Sequence, residues 1–547
     1  MASRDHAYED GRTAVLDSAH LGDIRGALGT IGVGDTGARR SFLARLLTLA
    51  AIVGPGLIVM VGDNDAGGVA TYAQAGQNFG LTLLWTLPLL IPVLVVNQEM
   101  VVRLGAVTGV GHARLINERF GRFWGAFSVG DLFILNFLTI VTEFIGVSLA
   151  LGYFGVSPYL SVPVAAVGLV AMTTSGSFRR WERFMLLFVV ANFLVIPLVI
   201  FSHPHVGPVV RGLVIPGVRG GVSSTAILLI IAIVGTTVAP WQLFFQQSNI
   251  VDKRITPRWV NYERVDTLIG SLVTVFAATL IVATAAFAFG HTPLSGHFSN
   301  AAGVARGLEH YLGNSAGTLF SIVLLNASII GAAAVTLATS YAFGDMFSMK
   351  HSLHRRVTDA KAFYATYSSL VFVAAAVVLV PRAPLGLITM AVQALAGVLL
   401  PSATVFLMLL CNDREVLGPW VNRLWSNVLA GLIVSVLVAL SLILMATTVF
   451  PHINVMFVIT LLGAVLVGGG VFAAVLGLQA RSRREIPDEP RATRSQRENW
   501  RMPPLTLLAR PVLSRGRRIT MVAMWGYLAV AVGLLVVKAV ELGVGQR

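Results

Sequence analysis

Residues 54–76 read GPGLIVMVGDNDAGGVATYAQAG. They sit in the first apolar block of the chain, about 46–75, which is long enough to cross a bilayer, since spanning takes about 20 apolar residues. Asp63, Asn64, Asp65, Gly67 and Gly68 stand in the middle of that block. A carboxylate at membrane depth is costly and is retained where it handles ions or protons. A helix that breaks at such a point offers backbone carbonyls and helix ends to a cation. The stretch predicts a cation site in a broken membrane helix.

Composition sets the same frame for the rest. Of 547 residues, 55% are hydrophobic and 12% charged, with mean hydropathy +0.77; soluble domains carry about 25% charged residues. The chain reads as an all-α polytopic membrane protein. Thirteen stretches suit spanning: about 46–75, 81–104, 124–153, 159–174, 184–202, 223–249, 265–290, 317–347, 363–381, 384–411, 424–450, 453–480 and 519–541. Alternate connections are rich in Arg and Lys, among them Arg39, Arg103, Arg179, Lys253, Arg355 and Arg414, while 154–158, 203–222 and 291–315 carry few. The positive-inside rule then places the N-terminus in the cytoplasm of a cell-membrane protein. Residues 1–45 form a cytoplasmic tail without the apolar core of a secretion signal. Residues 481–518 form a basic, largely unfolded cytoplasmic linker in which arginines could touch anionic lipid, and 519–541 is a possible thirteenth span. The net charge of +14 is explained by this topology rather than by nucleic acid, and no obligate protein partner is evident. The lone Cys411 excludes an intramolecular disulfide.

A second interruption lies in the sixth stretch, where Gly235-Thr236-Thr237 is followed by Pro240. Proline removes a backbone donor and clashes with the preceding turn. Two interrupted helices five segments apart signal a five-plus-five inverted repeat with its site between the breaks. The repeats are about 46–202 and 223–411, together a core over 46–411, and 424–480 adds two helices.

These motifs resemble the natural resistance-associated macrophage protein (Nramp) family of divalent-metal transporters. Gly54-Pro55-Gly56 matches the start of that family's first helix, and Asp65-Ala66-Gly67-Gly68 stands at its Asp-Pro-Gly-Asn break. Ala239-Pro240-Trp241 stands at the Met-Pro-His of the sixth helix, Glu143-Phe144-Ile145-Gly146 at a third-helix motif, and Gln393 with Leu400-Pro401 at the tenth. Arg179 to Glu182 matches a turn before the fifth helix. The resemblance covers about 40–450 and implies a LeuT-type fold with broken first and sixth helices, extra C-terminal helices, and a metal that is cargo rather than cofactor.

The departures set the expected substrate. Asp65 keeps the family's ligand aspartate, but Gly68 replaces its asparagine and Ala239 its methionine. Losing a soft thioether removes the preference for transition metals. A roomier oxygen site suits partly hydrated Mg²⁺, which is often held through one or two carboxylates plus water. The pattern is similar to the Nramp-related magnesium transporters, with Mn²⁺ also carried. Candidate metal residues are Asp65, Asp63, Gly68, Thr236, Ala239, whose carbonyl is expected to be free, and Gln393. Asp63 and Asn64 either serve the ion or cap the broken helix. Thr236 and Thr237 either touch the ion or its waters or bond to the preceding turn. Gln242, Gln246 and Gln247 line an exit or bond neighbouring helices, and Trp241 packs. Glu143 and Asp131 read as buried acids, Glu143 at the family's proton-route position. Trp241, Gln246 and Ile140 stand where the resemblance implies proton-carrying residues, so uptake is expected to be uncoupled from protons and driven by potential. Histidines such as His351 and His354 are expected to be solvated. Rival readings are a proton-coupled Mn²⁺/Fe²⁺ transporter and an amino-acid transporter of the same fold, whose substrate carboxylate Asp63 and Asp65 would repel. The absence of HExxH, GxSxG and Walker motifs argues against an enzyme.

Overall fold

The computed structural model describes residues 14–15, 17–380, 385–450, 453–482, 493–508, 521–530 and 533. Helices dominate, because backbone polar groups at membrane depth must be satisfied within the segment. The first repeat contains α1 Phe42–Ile52, α2 Pro55–Gly62, α3 Ala66–Phe79, α4 Thr86–Thr108, α5 Arg122–Tyr153, α6 Pro158–Thr173 and α7 Phe178–Ala191, the last continuing through a 3-10 turn into Val195–Phe201. The second contains α8 Ser224–Thr237, α9 Pro240–Asp252, α10 Val260–Phe289, α11 Asn314–Met346, α12 Lys361–Val378 and α13 Leu385–Cys411. Beyond them come α14 Leu424–Val449, α15 Val455–Ser482 and the short α16 Arg494–Asn499. Among the described residues, nine helices are long and apolar enough to cross a membrane, or ten if one bent pair counts as a span. Pro158–Thr173, Met456–Gly469 and Met521–Val530 are shorter apolar helices.

The two halves pack as counterparts. The longest helices, α5 and α11, lie along each other. α10 of the second half cradles α2 and α3, and α4 of the first half cradles α9. Each broken helix is thus held by the scaffold of the opposite repeat, so both breaks meet at one level of the bundle. The arginine-rich connections gather at one end, where Arg103 meets Asn422, Arg119 meets Asp413, and Arg355 meets Asp17.

Three features differ from the sequence reading. The first apolar block is not one span with one break. It bends by 54° between α1 and α2, where Gly54 adopts φ 153°, a conformation that glycine tolerates without the clash of a side chain. α1 leaves Phe42 and Leu47 exposed, so its apolar side is not covered by this chain. Residues 17–31 are packed structure: a 3-10 turn Ser18–His20 and two strands, β1 Ile24–Arg25 and β2 Thr30–Ile31, antiparallel with Ile24 opposite Ile31. Lastly, 481–518 was expected to be largely unfolded, yet it carries α16, closed by a Thr493–Gln496 capping box. Local capping and the bond from Trp420 Nε1 to Arg497 O, 2.9 Å, outweigh the Pro-rich, charged composition there. Residues 483–492 and 509–518 of that linker, and 519–520, 531–532 and 534–541 of the possible thirteenth span, lie outside the described residues.

Candidate metal site

The first break is three residues long. α2 stops at Gly62, and Asp63 and Asn64 turn their N–H groups to Met60 and Val61. Asp65 is extended and becomes the N-cap of α3, its Oδ1 accepting from Gly68 N at 2.7 Å. Capping by a carboxylate is favourable because the first N–H groups of a helix have no partner and carry partial positive charge. A second carboxylate reaches the same terminus: Glu143 Oε2, from α5, accepts from Ala66 N at 3.1 Å. Room for both acids comes from Gly331 on α11, where a Cβ would stand 2.7 Å from Glu143 Oε2 and 2.8 Å from Asp65 Cβ.

The second break is tighter. α8 ends at Thr237, Val238 and Ala239 are non-helical, and α9 restarts on Pro240. Proline costs no hydrogen bond at a first helical position. Thr237 Oγ1 donates back to Ile233 O at 2.7 Å and also pairs with Tyr72 OH at 2.7 Å. The buried Thr236 hydroxyl makes no hydrogen bond of normal geometry.

The two breaks meet at Gly68. A Cβ there would lie 2.8 Å from the Asp63 carbonyl oxygen, 3.1 Å from Thr236 Oγ1 and 3.4 Å from Asp65 Oδ1. Three oxygens therefore surround a point that any side chain at 68 would crowd. The Gln393 side-chain amide, from α13, lies over Gly67, and its Nε2 has no hydrogen-bond partner in the protein. Asp63 Oδ2, Asn64 Oδ1 and Glu143 Oε1 are likewise buried without a partner. An unsatisfied buried polar atom costs about 1–3 kcal/mol, so Glu143 Oε1 and the Thr236 hydroxyl, beside this point, are atoms that a cation or its waters would satisfy. Among the described residues, no three His, Cys, Asp or Glu side chains converge as a metal cage. Any ion here would lean on Asp65, hydroxyl and carbonyl oxygens, and its own waters. A cavity lined by Ala66, Thr71 and Gln74 of α3, Thr142 and Gly146 of α5, and Thr389 of α13 runs from this level toward Asn300, away from the arginine-rich end.

The structure brings Asp65, Gly68, Thr236, the Asp63 backbone and Gln393 together, with Glu143 beside them. The Asp63 side chain turns elsewhere and accepts a short hydrogen bond from Gln242 Nε2. Asp65 is the side-chain cap of the break; Asn64 instead donates to Thr274 O of α10 at 3.2 Å. The Ala239 carbonyl is not free: α9 restarts so abruptly that Ala239 O accepts from Gln242 N at 3.2 Å. Gln242 also receives a bond from Gln98 at 3.0 Å, Gln246 donates to Thr267 at 2.8 Å, and Gln247 to Val110 O at 2.8 Å. These glutamines tie helices together in this conformation. Trp241 packs, with Gly62 and Phe245 against its ring. Asp131 is only half-buried, because α5 rotates it toward a less covered side.

Sequence reasoning missed the closure at the arginine-rich end. Lys253 Nζ, wholly buried, lies 2.6 Å from Glu182 Oε1 and donates to the carbonyls of Ile52 and Val53 at 2.6 and 3.0 Å. Glu182 Oε2 accepts from Ala27 N at 2.5 Å, tying in the N-terminal segment. Asp266 accepts from Gly54 N and Gly56 N, 3.0 and 2.8 Å. Asp252 accepts from Tyr341 at 2.5 Å and Leu353 N at 2.8 Å, with His20 at 3.6 Å. His351 and His354 are not solvated: His351 pairs with Asp345 at 3.2 Å, and His354 Nε2 meets Asp252 O at 3.1 Å. The partners lie up to 232 positions apart (20 to 252), so no local spacing reveals them.

Residues 56–447 match the model of a family described as natural resistance-associated macrophage protein-like. The divalent metal cation transporter MntH of Klebsiella pneumoniae (strain 342) is 28% identical over 409 residues, covering 72% of this chain and 92% of that protein. The protein of the same name from Aeromonas hydrophila is 27% identical over 420 residues, covering 73% and 96%. A mutant form of the Eremococcus coleocola manganese transporter, solved by crystallography, superposes with a TM-score of 0.61 at 20% identity, covering 95% of this chain and 98% of that one. At that identity the likeness is one of fold: a LeuT-type five-plus-five inverted repeat with broken first and sixth helices.

Proposed function

The chain belongs to the Nramp family, and from that premise we propose that it imports divalent metal cations across the cell membrane by alternating access, its N-terminus cytoplasmic. Mg²⁺, partly hydrated, is the preferred cargo in this reading, and Mn²⁺ is also carried. The observation that supports it is the oxygen-lined point beside Gly68, where Asp65, Thr236 and the Asp63 carbonyl meet; no residue of either break, 63–65 or 238–239, carries sulfur. Oxygen donors suit Mg²⁺ and Mn²⁺ rather than soft metals. Gly68 and Ala239 keep the site shallow in side chains, which leaves room for waters on the ion. Gln393 is assigned to the ion or its hydration shell. Asp63, one bond away through Gln242, adds negative charge near the site.

Transport without proton coupling is part of the same proposal. Trp241, Gln246 and Ile140 carry no proton at physiological pH, which leaves Glu143 as the acid beside Asp65. The manganese reading has its own support in the names of the relatives, which are divalent-metal or manganese transporters. Uptake of Mg²⁺, Mn²⁺ and Cd²⁺ into proteoliposomes separates the two. Mg²⁺ flux with weak Cd²⁺ flux is expected; strong Cd²⁺ preference with no Mg²⁺ flux overturns the magnesium assignment.

A further inference from the structure

Beside the transport core, at the arginine-rich end, a second cavity lies between α4, α10, the start of α14 and α16. Four arginines and one carboxylate face it. Arg103 of α4 and Arg264 of α10 share Glu99, Arg103 Nη2 lying 3.0 Å from Oε2 and Arg264 Nη2 bonding Oε1. Arg423, just before α14, and Arg497, on α16, have no carboxylate partner among the described residues. Arg103 is 5% exposed, and its Nε, like that of Arg264, is buried with no hydrogen-bond partner. Trp420 forms one wall, with the Arg264 and Arg497 guanidiniums 6.0 and 5.2 Å from its ring centroid. Burial, together with Arg423, Arg264 and Arg103 nearby, pushes the Arg497 guanidinium below its ordinary value. Four positive charges thus converge on one negative charge, an arrangement that repels itself unless another anion joins it.

The mouth of the cavity indicates where that anion comes from. Leu424, Trp425, Val428 and Leu432 stand 67, 60, 63 and 57% exposed, an uncovered apolar stripe on a helix of membrane-spanning length. Such a stripe faces acyl chains, and a tryptophan at its end belongs at headgroup level. Planar guanidinium forks match phosphate oxygens two at a time, and basic pockets between membrane helices suit acidic headgroups.

We propose that this cavity binds a phosphate-bearing anion, presented as the headgroup of an acidic phospholipid of the inner leaflet. The bound phosphate would complete Arg423 and Arg497 and tie α16 to α4 and α10. The test is thermal unfolding of the full chain in phosphatidylcholine nanodiscs, with and without phosphatidylglycerol, and separately with inorganic phosphate. Phosphatidylglycerol is expected to raise the midpoint. The double substitution Arg423→Gln, Arg497→Gln is expected to weaken its effect about tenfold or more, the rise being read against the variant's own midpoint in pure phosphatidylcholine because Arg497 also donates to Pro419 O. Arg423→Lys, Arg497→Lys keeps the charge and is expected to retain most of the effect. An equal rise with inorganic phosphate supports the anion site and assigns it to soluble phosphate. No rise with either ligand, or a full rise in the glutamine variant, overturns the proposal.

Discussion

Asp65 holds two tasks at one carboxylate. It caps α3 through Gly68 N and presents its oxygens to the point shared with Thr236 and the Asp63 carbonyl. Asp65→Ala is expected to weaken metal binding about 100-fold or more, roughly 2.7 kcal/mol, read as loss of the calorimetric heat for Mg²⁺ and Mn²⁺. Unchanged binding would remove Asp65 from the site. Position 239 tests selectivity. Ala239→Met places a thioether at the second break, and soft ligands favour transition metals. The variant is expected to raise Cd²⁺ and Mn²⁺ uptake relative to Mg²⁺; an unaltered ratio would show that a side chain at 239 does not reach the ion. The break around Asp63 to Gly68 was legible in the sequence, and the resemblance to the family's motif singled out Asp65 and Gly68 within it. That Asp63 would turn to Gln242 was not, because side-chain direction across a helix break depends on where α9 is placed.

At the scale of elements, the broken helices are held by buried charges at the arginine-rich end. Lys253 follows α9, Glu182 lies in α7, and both are fully buried. Removing one partner of a buried pair strands the other, at a cost of about 3–5 kcal/mol. Lys253→Ala is therefore expected to lower the thermal midpoint far more than Lys253→Met combined with Glu182→Leu, which removes both charges; equal losses would sink the pairing argument. The N-terminal segment carries a pH dependence. His20 is pushed below its ordinary 6.5 by burial, against the pull of Asp252, Asp17 and Asp345. Burial also pushes His354 down to about 4 despite Asp252, with Arg254 adding to the fall, and His112 to about 4 despite Gln247 and Asp345. The packed state refuses protons that the released state accepts, so stability is lost as pH falls from 6.5 toward 4. His351 acts in the opposite sense: Asp345 holds it above 6.5 against burial, and its contribution is full below 6.5 and is lost as pH rises through that raised value. His354 and His112, both pushed down to about 4, set the net direction. Protection factors for amide exchange in 17–31, each rate divided by the unstructured-peptide rate at the same pH, are expected to be lower at about pH 5 than at neutral pH, and higher protection at the acid pH would contradict it.

Across the whole molecule, charge asymmetry and the inverted repeat act together. The arginine-rich connections share one end, and the opposed repeats hold two breaks at one depth. A divalent ion moving to a negative interior gains about 4.6 kcal/mol per 100 mV, twice the single-charge value. Mg²⁺ influx into proteoliposomes is expected to rise with an inside-negative potential and to leave internal pH unchanged. Robust acidification accompanying Mg²⁺ would establish proton coupling and overturn the uncoupled reading.

Hydrophobic length, the alternation of arginine-rich connections and two interrupted apolar runs are local properties, fixed by the cost of exposing backbone or charge to hydrocarbon. They were sufficient for the all-α membrane fold and the two breaks, while the choice of Asp65 rested on the family resemblance. The bend at Gly54, the packed N-terminal strands, the Lys253–Glu182 seal, the closed Ala239 carbonyl and the arginine cavity at Trp420 came only with tertiary structure. Each depends on groups far apart in sequence, or on how a helix restarts after a break. Charges at the segment ends read along the chain as topology signals, and only packing determines which of them face each other in a dry interior.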